Sequence, residues 1–359
     1  MTCAAPAAVR AQSVVRTLTS GDAIFQAGCA GCHGPHGEGA PPSVIGFDKP
    51  ATFPDFTDCP STTPELDVDW KATITNGGSG RGFSRIMPAF GEALTSEQID
   101  AVIGYLRRQC RDTTFPRGEL NLPRPLRTEK AFPESETVFT MAVAGSHAPD
   151  LDSELAYEHR LTARDQIEVA VPFASVHDEN GTRASGVGDV ALGWKRVLFA
   201  GHNSIVSGQG EIVFPIGDAA RGLGSGVTTF GAFATVGQML PASSFVQFQV
   251  GTDQPVNTDE APRTLFWRAA VGRSFRQEDG LGRMWSPIVE VVSDREFAAG
   301  AAATIDVVPQ FQVTLNRRQH VRANVGVEIP TTHTTGRSKQ LVFYVLWDWF
   351  DGGLLEGWK

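Results

Sequence analysis

From about residue 136 to residue 350 the apolar side chains recur at every second position, and a period of two held for that long admits β-strands and little else. Ile305, Val307, Pro309, Phe311, Val313 and Leu315 alternate with Asp306, Val308, Gln310, Gln312 and Thr314. Val321, Ala323, Val325, Val327 and Ile329 alternate with Arg322, Asn324, Gly326 and Glu328. The same pattern sets Ile167, Val169, Val171 and Phe173 against Gln166, Glu168 and Ala170, and Val246, Phe248 and Val250 against Gln247 and Gln249. About twelve such segments begin near residues 136, 153, 165, 187, 204, 227, 243, 264, 284, 302, 319 and 338, each roughly 10 to 14 residues long, against the ~9–11 that a membrane-crossing barrel strand needs. The competing fold is a soluble β-sandwich or lipocalin-like barrel, whose apolar faces point inward and whose strands average about five or six residues. The expected architecture for residues 136–359 is an antiparallel, outer-membrane-type β-barrel of about 12 strands.

Short turns such as Pro241-Ala242-Ser243-Ser244 and Asn316-Arg317-Arg318-Gln319 alternate with longer loops such as 176–186 and 251–263, as the two ends of such a barrel require. Six of the seven Trp lie in this half, among them Trp194, Trp267, Trp285, Trp347 and Trp349, mostly toward strand ends, which fits an aromatic girdle. The mean hydropathy of -0.13 does not contradict this, because alternating residues cancel in any average. No run of 18 apolar residues exists, so a helical membrane span is excluded. The net charge of -9, with Lys and Arg scattered, leaves no basic patch for nucleic acid.

The N-terminal part follows different rules. Cys29-Ala30-Gly31-Cys32-His33 is a C-x-x-C-H motif. Two thiols on one helical turn meet the two vinyl groups of a haem, and the adjacent His offers an imidazole nitrogen to the iron. A redox C-x-x-C would need a βαβ setting and a zinc site a second Cys/His pair; the sequence shows neither. One covalently attached haem c is the expected cofactor, with Cys29 and Cys32 holding it and His33 on the metal.

Around the motif, residues 19–112 resemble the small single-haem cytochrome c domain, an all-α fold. Gly21-Asp22-Ala23-Ile24-Phe25 opens a helix that runs into the motif. Arg85-Ile86-Met87-Pro88-Ala89-Phe90 is similar to the family's distal loop, and Thr95-Ser96-Glu97-Gln98 starts a capped helix with Ile99, Val102, Ile103 and Leu106 on one face. Packing of Tyr105 on Phe25 is expected. The resemblance implies Met87 as the sixth iron ligand; a lone Met is otherwise core filler, and His36, three residues after His33, is too close along the chain to reach the far face. His/Met ligation leaves no open iron position, which suits an electron carrier over an enzyme, and an enzyme of this kind would be an oxidoreductase. The family's proline-bearing loop implies that the backbone near Pro42 accepts the other His33 N–H. The loop Gly77-Gly78-Ser79-Gly80-Arg81-Gly82 reads as a flexible approach to the haem edge. Cys59 and Cys110 are either a disulfide, which an exported protein permits, or two free buried thiols.

Residues 1–18 read as the small-residue end of a signal peptide, with Val9-Arg10-Ala11 as an A-x-A-like cleavage site, or as a disordered lead. Cys3 would leave with the signal; acylation of Cys3 is the competing reading. Residues 113–135, rich in Pro and charge, read as an extended linker. The barrel half resembles transporter-like outer-membrane families through Gly186-Val187-Gly188-Asp189-Val190-Ala191-Leu192-Gly193 and Phe214-Pro215-Ile216-Gly217, although such barrels often end on an aromatic and here Phe350 is followed by nine further residues.

The whole resembles cytochrome–porin fusions. Twelve strands ~4.8 Å apart and tilted near 40° give a barrel roughly 24 Å across. A domain of about 100 residues, with a radius of gyration near 13 Å, cannot enter; it caps a mouth or sends in a loop. The expected function is an electron carrier anchored in the outer membrane, its cytochrome periplasmic or at the cell surface, exchanging electrons with a redox protein or an extracellular reductant at the barrel mouth. The alternative is a solute pore with the cytochrome as a periplasmic plug or redox sensor. Glu168, Asp189, Glu211, Arg268, Glu290, Asp306 and Arg322 are candidate lumen residues in either case.

Overall fold

A computed structural model describes residues 18–50, 52–144, 150–177, 182–278 and 280–349. The signal-like N-terminus with Cys3, and the chain from Phe350 onward, lie outside the described residues.

The N-terminal domain is built on two helices, α1 (Gly21–Gly28) and the longer Ser96–Arg107. Ser20 caps α1 by accepting from the Ala23 N–H, and Thr95 and Gln98 form the expected capping box on the second helix. The two cross where Gly21 meets the backbone of Ala101: a Cβ on Gly21 would fall 1.9 Å from the Ala101 carbonyl oxygen, so only glycine allows the approach. Phe25 and Tyr105 pack with ring centroids 5.0 Å apart. Shorter helices lie between: α2 (Ala30–His33), α3 (Pro42–Ile45), α4 (Cys59–Thr62) and α5 (Asp67–Asn76), which makes Ser96–Arg107 α6.

The rest is a closed barrel. Its strands are β1 (Glu136–Ala144), β2 (Asp150–Arg160), β3 (Asp165–His177), β4 (Arg183–Val187, resuming as Val190–Ala200), β5 (Ser204–Phe214) and β6 (Thr229–Leu240). They continue as β7 (Ser244–Pro255), β8 (Thr264–Arg273, resuming as Phe275–Glu278), β9 (Leu281–Glu296), β10 (Thr304–Thr314), β11 (Val321–Pro330) and β12 (Gln340–Asp348). Each pairs antiparallel with its sequence neighbours, and β12 closes on β1 in the register Glu136↔Asp348 to Ala144↔Gln340. Counted through the two interruptions there are twelve strands among the described residues, the uninterrupted ones of 9 to 16 residues.

The faces are inverted relative to a soluble barrel. Leu192, Trp194, Leu198, Phe230 and Val271 are 46–60% exposed, whereas Glu158, Gln166, Lys195, Gln247, Glu290 and Gln312 are at most 1% exposed. Apolar outside and polar inside is the pattern a lipid environment selects, and it removes the lipocalin-like alternative. The antiparallel order puts the short turns 161–164, 201–203, 241–243 and 315–320, together with Gly280, at one mouth, with both chain ends of the barrel, and the longer loops 215–228, 256–263, 297–303 and 331–339 at the other.

The segment 113–135 is not an extended spacer. After a single turn at Gly118–Leu120 it runs into the lumen and back out at the same mouth. Leu120, Lys130 and Phe132 are at most 1% exposed, and Leu122, Arg124 and Leu126 at most 8%. Arg124 meets Glu136 at 3.1 Å and Glu158 at 2.6 Å, while its carbonyl accepts from the side chains of Gln312, Asn324 and Tyr344. Arg127 pairs with Glu328 at 2.6 Å, Thr128 hydrogen-bonds Glu290, and Lys130 pairs with Glu134 and Glu136. Charges that look solvated in sequence thus find partners on the barrel wall, and a buried charge persists when it is paired this way.

The candidate lumen residues divide accordingly. Glu290 and Arg268 hold the inserted segment, Arg268 by donating to the Arg127 carbonyl at 2.6 Å; Arg322 pairs with Asp348 and Asp306 with Arg337. Glu168 and Glu211 are half-buried. Asp189 serves a loop: it accepts from the backbone N–H of Gly217 and Ser225 and fastens 215–228.

Candidate haem-binding site

The end of α1 delivers Cys29, and α2 carries Cys32 and His33 one turn on, with the N–H groups of Cys32 and His33 donating to the Cys29 carbonyl at 3.1 and 3.0 Å. Both thiols are free. They border a cavity of about 540 Å³ that Met87 also lines, along with Phe25, Phe53, Phe56, Trp70 and Leu106. His33 stacks on Phe53 at 5.1 Å. Burial pushes the imidazole down to about 4, so it is neutral, the form that can bind a metal. Burial, reinforced by Cys32, pushes the Cys29 thiol up to about 11.

Met87 sits in a loop fixed by backbone: the Gly78 N–H donates to its carbonyl at 3.1 Å, and its own N–H to the Ser84 carbonyl at 3.4 Å. Gly77 has φ +74°, and a Cβ there would lie 2.9 Å from the Met87 carbonyl oxygen. The stretch 77–82 is therefore no flexible approach. Its Gly78–Arg81 turn is a 3₁₀ helix that buttresses the Met87 loop and carries Arg81, 1% exposed, into a salt bridge with Asp69 at 3.0 Å. Burial raises Asp69 to about 6 despite the opposing pull of Arg81. Sequence reasoning missed Arg81; the one signal was a lone arginine inside a glycine run.

The backbone near the proline loop holds the motif differently from expectation. Gly39 N–H donates to the His33 carbonyl at 2.6 Å and Ala40 N–H to that of Cys32 at 2.9 Å. His33 Nδ1 is buried without a hydrogen-bond partner, so the Pro42 carbonyl is not its acceptor. His36 is exposed and does not line the cavity. Cys59 and Cys110 form a disulfide with Cα atoms 5.1 Å apart, joining α4 to the chain after α6.

These residues fit a haem. The walls are aromatic and aliphatic, two free thiols stand at the attachment spacing, and a neutral imidazole and a thioether border the same cavity. Arg81 Nε, buried beside the cavity with no partner among the described residues, suits a haem carboxylate.

Comparison with known proteins agrees for the first domain. Residues 16–106 match the family described as cytochrome c oxidase, cbb3-type, subunit III, a c-type cytochrome domain. A stretch of the chain is 26% identical over 148 residues to the pyochelin synthetase PchE of Pseudomonas aeruginosa, covering 39% of this chain; the chain spans about a tenth of that protein's length. Among solved structures, a KdgM porin aligns with 60% of this chain and 99% of its own at 7% identity and a TM-score of 0.42. An outer membrane channel from Pseudomonas putida F1 aligns with 63% of this chain and 99% of its own at 14% identity and a TM-score of 0.42.

Proposed function

We propose that a c-type cytochrome domain seated on a plugged outer-membrane barrel makes this protein a membrane-anchored electron carrier facing the periplasm. The observation that carries the reading is the segment 120–134, which fills the lumen with paired charges and makes the barrel a seat more than a conduit. That weighs against a solute pore.

The two mouths support the periplasmic orientation. Outer-membrane barrels keep short turns on the periplasmic side and long loops outside, and the cytochrome domain rests on the short-turn mouth, where Arg81 reaches Gly280 and Arg318 reaches the Gly82 carbonyl. One covalently held haem supplies a one-electron redox centre when bound. Cys29 and Cys32 would attach it, and His33 and Met87 would supply the nitrogen and sulfur that bind its iron. The Phe25, Phe53 and Trp70 walls keep water from it, which together with thioether ligation favours a raised potential. The partners are a donor and an acceptor protein on the periplasmic side.

In intact cells a reductant too large to cross the outer membrane is expected to leave the haem oxidised, and to reduce it fully once that membrane is permeabilised. Prompt reduction before permeabilisation would place the haem at the cell surface. For the ligand set, Met87→Ala is expected to abolish the ferric absorption feature of thioether-ligated haem while covalent haem, read on a denaturing gel, persists.

A further inference from the structure

Three residues that line the haem cavity also touch the barrel rim. Arg81 Nη1 donates to the Gly280 carbonyl at 2.7 Å and Nη2 to the Arg318 carbonyl at 3.1 Å. Phe83 lies beneath the Arg318 guanidinium, 4.7 Å from ring centroid to charge, and Arg318 reaches the Gly82 carbonyl at 3.5 Å. Glu65 meets His320 at 3.3 Å, and although burial raises its carboxyl, the hydrogen bond and charge of His320 hold it below the usual carboxylate range. All these partners lie on two rim turns, one carrying Gly280 just before β9 and the other 315–320 between β10 and β11. Between cavity and barrel the wall is thus one residue thick.

The part of the cytochrome domain held there is the start of the Met87 loop. Gly78–Arg81 is a single 3₁₀ turn, Gly78 is hydrogen-bonded to Met87, and Phe83 N–H donates back to the Gly78 carbonyl at 2.8 Å. Whatever fixes Arg81 and Phe83 fixes one end of that loop.

We infer that the two rim turns are a working part of the haem site: they hold Arg81, and Arg81, as a positioning residue, holds the Met87 loop, so that seating on the barrel sets the distal ligation and the reduction potential. The inference rests on Met87 as the distal ligand. The potential of a haem follows its axial ligands and the order of the shell around them. A cytochrome domain lifted from the rim would keep its covalent haem and its proximal histidine, and would carry a different potential.

The test uses the full-length protein with Gly280→Val. Gly280 has φ +82°, and a Cβ there would lie 2.4 Å from the Val68 carbonyl oxygen and 2.8 Å from Ala72 Cβ, so a side chain wedges the rim off α5. None of the three residues lines the cavity. Covalent haem is expected to be unchanged, the thioether feature weakened, and the ratio of oxidised to reduced haem at fixed poise changed at least tenfold, about 59 mV for one electron. A second variant, Arg318→Ala with His320→Ala, removes the contacts to Phe83 and Glu65 and spares the turn backbone; a smaller change of the same sign is expected. Barrel assembly is verified for both by heat-modifiable gel mobility. Wild-type spectra and potential in assembled variants would overturn the inference. Met87→Ala, measured alongside, separates the two readings. If it keeps the thioether feature, the distal-ligand reading falls and the inference with it; if it loses the feature while both rim variants match wild type, the inference alone falls.

Discussion

Replacing residues 122–132 with a Gly-Ser segment of equal length is expected to turn a closed barrel into a conducting one, read as open-channel steps in planar bilayers where the wild type gives none. The effect is large because the lumen of a twelve-stranded barrel, roughly 24 Å across its backbone, is filled in this protein by a segment whose side chains are almost wholly buried. The wall itself survives the exchange. Its strands are joined by main-chain pairing that closes β12 on β1, and water entering the lumen solvates Gln247, Gln312 and Glu290 in place of the lost segment. A replaced variant that inserts in the bilayer and stays closed would show that the wall side chains or the seated cytochrome seal the barrel without the plug.

Arg124→Ala acts in the opposite way, because it leaves the segment in place and water out. Glu136 and Glu158, both 0% exposed, lose the guanidinium that lies 3.1 and 2.6 Å from them. Lys130 still serves Glu136, but Lys195 stands 3.8 Å from Glu158 and is a poor substitute. Removing one partner of a buried ion pair costs about 3–5 kcal/mol, far more than an exposed pair contributes. The variant is expected to lose its folded-barrel gel mobility at a clearly lower temperature, and Glu158→Gln in the same chain to recover part of the loss. An unchanged transition would mean that the carboxylates are neutralised by another route.

Much of this was legible in sequence, and for local reasons. The haem motif has fixed spacing because vinyl groups and iron have fixed positions, and the capping box of α6 lies within four residues. The strands declared themselves through a period that survives any choice of partner, which is why twelve were countable and why the lipid-facing side could be told from the lumen. The lumen segment was illegible because its logic is long-range. Arg124, Arg127 and Thr128 find partners in Glu158, Glu328 and Glu290, up to 201 residues away; read alone, a Pro-rich charged stretch is a solvated linker. Arg81 was hidden likewise, since a glycine run suggests mobility until the barrel rim that grips it is in view. Asp189 looked like a lumen acid because alternation gives the face of a residue, not the loop that folds over it.

A free chain of 23 residues would let a tethered domain wander over a root-mean-square distance of about 26 Å, at 5–6 Å times the square root of its length. With residues 120–134 drawn into the barrel, that leash has no slack. On the periplasm-facing reading proposed above, a cytochrome held this way would not lean out toward the inner membrane, and its partner would do the travelling: a diffusible carrier, or a complex long enough to span the gap, arriving at a haem whose heading relative to the bilayer is already set.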